Sequence, residues 1–441
     1  QHTKKSSESM RLMSVFILIF FLPFGLMAQD VLTLEDAIEI ALENNYGIKV
    51  SKSNQEITEN NYTLGNAGFM PMVTLDFNKS FGTQDFERTL ASGVEQSQSG
   101  AKNERTSYGA TLNWTIFDGF QMFASYDQLN TFRSQSEESL KADIELIIYN
   151  ISATYYQAAL ENERLNLYES NVFFSQERLQ VAKDKYELGK ASKLEYLQAQ
   201  VDLNADKSQQ LTQQQTLEAT KLELSRLLSV ELDTFKLEYN LDTENNVNLE
   251  ELLEGVSLQN PQLTSLKQQE LIAQYNEKIS KGDMLPRVNI FAGYTHAKSE
   301  SPAGFAIVNT SDDINYGLTA SWTIFNGFNV NRQIQNARIQ RDIATYQYDN
   351  QLINFKTAIR QGYSNYTNSL DLMALERENL DVARENNEIS KERYEIGLST
   401  PLELREAQLN FLNAELRFQN AAFNAKLAAI ELKYLSGQTI N

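Results

Sequence analysis

The chain has 441 residues, room for one large domain or two to three ordinary ones. Its 39 basic and 58 acidic residues give a formal net charge of −19, which argues against a nucleic-acid binder and fits a surface or passage that tolerates cations. It has no cysteine and only two histidines, His2 and His296, and with no phosphate loop or metal-ligand spacing the expectation is a protein that is not an enzyme, with no catalytic, metal or cofactor site.

Met10-Arg11 leads into an apolar stretch from Val15 to Leu22, then Gly25-Leu-Met-Ala28-Gln29. A basic start, a short apolar core and a small residue before the cut predict a signal peptide with upstream residues over 1–28, cleaved after Ala28. Leading helices are expected over Thr33–Asn44 and Tyr46–Asn66. Strands follow near 72–81 and 107–117. Val73, Leu75, Phe77 and Phe81 alternate with Thr74, Asp76, Asn78 and Ser80, and Tyr108, Ala110, Leu112 and Trp114 alternate with small polar residues. Period two of this kind marks a sheet with one apolar and one wet face, and about ten residues span a bilayer when tilted. The linker 82–106 reads as an exposed loop.

No proline lies between Pro71 and Pro261, and no glycine interrupts Phe123–Tyr186. Ile144, Ile148, Ile151, Tyr155 and Ala158, then Leu165, Val172, Leu179 and Tyr186, form a gapped stripe of the coiled-coil kind. Roughly 65 residues at 1.5 Å each make a rod of about 100 Å. Gly189 stops it, and a new helix is expected over Ser192–Leu228.

The whole plan is then written again. Tyr108–Phe120 returns as Tyr316–Phe328 and Tyr186-Glu-Leu-Gly189 as Tyr394-Glu-Ile-Gly397, at one offset of roughly 208 residues. The second copy predicts helices over Leu249–Leu258 and Pro261–Lys281, strands near 287–296 and 315–325 (Phe291 breaking the alternation) and a loop over 297–314. A rod over Val330–Tyr394 and a helix over Thr400–Leu435 complete it. The boundaries are a first structural repeat over 29–229, an equatorial linker over 230–248 and a second repeat over 249–441. Four strands cannot close a barrel, and a lipid-embedded sheet must close, so the chain is expected to oligomerise; three chains would give twelve strands. The competing reading is a periplasmic coiled-coil structural or adaptor protein without a membrane barrel.

Taken together, these residues resemble the TolC family of outer membrane efflux channels, from Leu32-Thr-Leu-Glu-Asp-Ala-Ile38 to Tyr434-Leu-Ser-Gly437. The stretches WTIFDGF and WTIFNGF are similar to its strand-to-helix junctions, and YELGKASKLEYLQAQ and YEIGLSTPLELREAQ to its helical tips. The resemblance implies an α+β membrane protein. A homotrimer would build a 12-stranded outer-membrane β-barrel, four strands per chain, continued by a long α-helical barrel across the periplasm. It implies a passive channel-tunnel of a tripartite efflux or type I secretion system, working with a periplasmic adaptor and an inner-membrane efflux pump or ABC transporter. It places Glu403 and Glu406, six and nine positions after Gly397, and Glu195, six after Gly189, at a periplasmic constriction, where the best-studied members carry aspartates. Ser399 stands where those members carry an arginine that ties the closed state, with Arg405 or Lys193 as substitutes. Gly189, Lys190, Ala191, Ser192, Gly397, Leu398, Ser399 and Thr400 become the adaptor contact. Trp114, Phe117, Phe120, Trp322, Phe325 and Phe328 become an aromatic girdle at the membrane interface.

Overall fold

The computed structural model describes residues 31–231, 235–241, 247–301 and 306–438. The predicted signal peptide over 1–28 lies outside them. A short strand, β1 (Val31–Leu32), precedes helices α1 (Leu34–Asn44) and α2 (Tyr46–Asn61). Strands β2 (Met72–Thr89) and β3 (Glu95–Phe117) lead into α3 (Gln121–Glu187) and α4 (Lys193–Leu228). After β4 (Lys236–Leu237) the order recurs: α5 (Leu249–Gln259), α6 (Pro261–Gly282), β5 (Arg287–Glu300), β6 (Val308–Ser321), α7 (Asn329–Glu395) and α8 (Pro401–Ser436). The two long helices have 67 residues each and the two returning helices 36 each. The rods are therefore about 100 Å long.

The four long strands form one antiparallel sheet in the order β2-β3-β5-β6. Register aligns residues of like character into rows. Val73, Leu112, Ala292 and Tyr316 share a row on one face, and Leu75, Ala110, Tyr294 and Ile314 share the next. The opposite face carries Thr74, Thr111, Gly293 and Asn315. Phe291, the exception to the alternation, lies on this polar face beside Gly317, where a Cβ would stand 2.8 Å from its ring. A large side chain is accommodated there because its cross-strand neighbour has none.

Three boundaries differ from expectation. The strands run well past 81 and 296, and the stretches expected as loops over 82–106 and 297–314 are largely paired. Their Thr, Gln and Ser residues are compatible with a two-stranded ribbon wet on both faces, which period two in hydropathy cannot reveal. The ribbon bends at a bulge between Gln84 and Phe86, where Asp85 accepts hydrogen bonds from the Ser99 hydroxyl at 2.7 Å and the Gly100 amide at 2.5 Å. Helix α2 stops at Asn61 rather than Asn66 because the chain must turn through Gly65 and Gly68, the latter at φ +95°.

Helices pack as a single row. Beside the sheet the neighbours are α2, α3, α6 and α7 in that order; in the far half they are α4, α3, α8 and α7. Two small cores clamp the middle of the row. Ile151, Tyr155, Leu224 and Leu228 pack with Leu32, Ala37 and Ala41. Ile359, Tyr366, Phe355 and Leu432 pack with Leu252, Val256 and Leu263. Ile151 and Ile359 hold the same place in the two long helices, so each repeat builds its own clamp. Full burial of such a side chain contributes about 1.5–3 kcal/mol. Tyr155 also stitches β1 to β4, its hydroxyl donating to the Leu32 carbonyl at 2.8 Å and accepting from the Glu238 amide at 3.2 Å.

Candidate functional site

The tips are two near-copies of one turn. Gly189 and Gly397 adopt φ +69° and +77°, a left-handed conformation that glycine takes without steric cost. The amides of Lys190 and Leu398 each reach back to a carbonyl of the last helical turn at 2.7 Å, closing the helix ends. The next helices start at Ser192 and Thr400, whose hydroxyls accept from the Glu195 and Glu403 amides at 3.3 and 3.2 Å. Thr400 and Glu403 form a reciprocal capping box, and Pro401 sits in the first turn. Glu195 and Glu403 thus have a local task, capping their helices, that the sequence reading omitted. Glu406 lies one turn on. All three carboxylates are exposed, and among the described residues no hydrogen bond or ion pair joins them. Leu188, Leu194, Ile396, Leu398 and Leu402 surround the tips as exposed apolar groups.

Behind the tips lies a buried charged knot that sequence reasoning only half found. Arg405 of α8 forms a two-pronged ion pair with Asp206 of α4, at 2.8 and 2.7 Å. Asp206 is 1% exposed and also accepts from the Ser175 hydroxyl of α3. Arg178 of α3 bonds Ser175 and stands 3.7 Å from the same carboxylate. Two guanidinium groups therefore share one carboxylate. Burial, then repulsion from Arg405, pushes Arg178 down to about 10, against the pull of Asp206. The knot binds the second hairpin to both helices of the first. Nearer the tip, Lys185 lies 4.6 Å over the Tyr394 ring and reinforces the same contact. Arg405 thus has a buried partner, Lys193 forms no ion pair among the described residues, and the Ser399 hydroxyl is buried without a hydrogen bond. A sequence signal for Asp206 existed: it falls three residues after Leu203 on the stripe that Leu217 and Leu224 continue, so a carboxylate occupies a packing position.

At the other end of the rods, each strand-to-helix junction turns through a glycine and a phenylalanine that are both left-handed: Gly119 and Phe120, Gly327 and Phe328. The Trp114 indole donates to the Phe69 carbonyl at 2.9 Å, and Trp322 to the Met284 carbonyl at 3.0 Å. Phe117 and Phe120 meet edge to face, as do Phe325 and Phe328. The tryptophans tie each junction to the linker that enters the sheet, while Phe120, Trp322, Phe325 and Phe328 keep their rings largely exposed.

A sequence profile for the outer membrane efflux protein matches residues 37–230 and again 252–438. The chain belongs to the outer membrane efflux protein family. This efflux-family chain is an outer-membrane protein with a large periplasmic part, which sets aside the reading as a barrel-less periplasmic adaptor. It is 21% identical to the alkaline protease secretion protein AprF of Pseudomonas aeruginosa, over 86% of this chain and 78% of that protein. It is likewise 21% identical to the outer membrane efflux protein BepC of Brucella suis, over 85% and 79%. Its fold is that of the CmeC outer membrane channel of Campylobacter jejuni, with a TM-score of 0.77 at 18% identity over 92% of this chain and 86% of that one.

Proposed function

We propose that three copies close into one channel-tunnel, a passive conduit for a tripartite efflux or type I secretion system. The carrying observation is that sheet and helix row both end in unlike edges, unpartnered among the described residues: β2 and β6, α2/α4 and α7. Within the chain, Thr131 of α3 and Ile272 of α6 are buried on the elements of one seam. Their counterparts by position in the repeat are Ile339 of α7 and Ile57 of α2, which are 55% and 56% exposed. A seam closed inside the chain is thus offered open at its flanks, in apolar form, for α7 of one copy to meet α2 of the next. The same closure pairs β6 with β2 and removes the sheet edges. Three copies give twelve strands, within the range of membrane barrels. On this reading residues 29–229 and 249–441 are the two repeats, joined at the equator by 230–248. The six junction aromatics meet the periplasmic membrane interface.

The tips are the working end. Three-fold symmetry gathers Glu195, Glu403 and Glu406 around the axis, where like charges held close bind cations. The small-residue turns and apolar rim accept a periplasmic adaptor, and an inner-membrane pump or ABC transporter supplies the energy. The secretion and efflux roles in the names of AprF and BepC support both uses. Native mass spectrometry in detergent tests the assembly: a trimer is expected, and a folded monomer would sink the proposal. In planar bilayers, Glu403→Ala with Glu406→Ala should weaken cation preference and divalent block; unchanged values would remove these residues from the constriction.

A further inference from the structure

The apolar face of the sheet does not end in a loop. It ends in an ordered charged rim. Moving away from the helices, one aromatic row is Phe77, Tyr108, His296 and Asp312. Its polar atoms are satisfied locally: Asp312 accepts from Tyr294 at 2.8 Å, pairs with His296 at 2.8 Å, and His296 stacks on Tyr108. The next row on the same face is Lys79, Thr106, Lys298 and Thr310. It holds two cations, two hydroxyls and no acid. The two lysines flank Thr106 from neighbouring strands, about 10 Å apart at the backbone, so both ammoniums reach a group lying over the threonine. One row farther out, two more acids share the face with Phe81 and Val308. Glu104 and Glu300 face each other across β3 and β5 and hold Lys79 at 2.7 Å and Lys298 at 2.6 Å. All four side chains remain about half exposed.

On a chain with a net charge of −19, a cationic row set within an aromatic rim, between the Phe77 and Tyr108 row and Phe81, is complementary to an anion at the lipid headgroup level. We infer that Lys79, Thr106 and Lys298 form a docking surface for a phosphorylated lipid headgroup of the outer leaflet. The inference rests on the reading of this sheet as one third of a membrane barrel. The ammoniums swing one row inward to the phosphate, Thr106 donates its hydroxyl, and the two glutamates act as competing intramolecular partners.

That competition gives the test its sign. The intact assembly in detergent is titrated with diphosphorylated lipid A, with its dephosphorylated form and with inorganic phosphate. Bound species are counted by native mass spectrometry, which reports the trimer mass in the same spectrum. Lys79→Gln with Lys298→Gln should weaken retention of the phosphorylated lipid roughly 30-fold, at the worth of two interfacial cations. Glu104→Gln with Glu300→Gln should strengthen it. Equal retention by the lysine variant, equal binding of the dephosphorylated lipid, or weaker binding by the glutamate variant overturns the inference. Displacement by inorganic phosphate at lipid-like concentrations assigns the row to a free anion and overturns it too. A trimer that forms and yet shows no lipid discrimination separates this failure from failure of the barrel reading.

Discussion

Asp206 is the residue on which the tip turns. With two arginines and one serine converging on it, its removal strands two buried guanidiniums, whereas removal of Arg405 leaves Asp206 with Arg178 and Ser175 still at hand. Breaking a buried pair costs about 3–5 kcal/mol. Asp206→Ala should therefore lower the melting temperature more than Arg405→Ala, and both should raise single-channel conductance by releasing the second hairpin from the first. Equal melting temperatures for the two variants would contradict the shared-carboxylate arrangement. Glu145 is a second buried carboxylate, without an ion pair among the described residues. Burial, then the charge of Glu138, pushes it up to about 7. The folded state then holds a proton that the unfolded state releases near the ordinary value of 4.5, so stability falls as pH rises from about 4.5 through about 7, by at most ~3 kcal/mol. Glu145→Gln should flatten that slope and raise the melting temperature at pH 8, with little change at pH 5.

At the scale of elements, the two tips are near-copies of one turn. Replacing Gly189 and Gly397 by a bulky charged residue puts a side chain into the left-handed region, at roughly 1–2 kcal/mol each, and fills the rim that Leu188 and Leu398 surround. Export should be lost while trimer mass and outer-membrane insertion persist; normal export would place adaptor docking elsewhere. Apart from the end of α2, the helices were legible to within about two residues, because Gly189, Gly397 and Pro401 punctuate them and no proline lies between Pro71 and Pro261. The parts of the strands nearer the helices were legible from Leu75, Tyr108 and Ile290, where an apolar face alternates with a polar one. The ribbon beyond Gly82 was not, since a strand wet on both faces has no period in hydropathy. Phe291 misled the alternation until Gly317 was seen beside it. At the tip, Arg405 was visible as a lone cation, but its partner is about 200 residues away in the chain, and only the fold brings Asp206 across.

For the molecule as a whole, the row of helices has a left hand and a right hand that differ: α2 and α4 on one flank, α7 on the other. In the proposed assembly the contact between copies is head-to-tail, and it closes only when every member offers both flanks. A chain carrying Ile339→Asp and Ile343→Asp would lose one flank and keep the other, so it could still enlist a normal neighbour and then leave the arc unclosed. Co-expressed in equal amount with the wild type and mixed at random, it would leave about one ring in eight free of the defect. Export should fall to roughly that fraction instead of one half, and the same substitution made on both flanks should be harmless to the wild type because it no longer joins at all. In the proposed ring, unlike edges would thus make a single lesion a stoichiometric poison, a genetic signature that a symmetric two-fold contact would not produce.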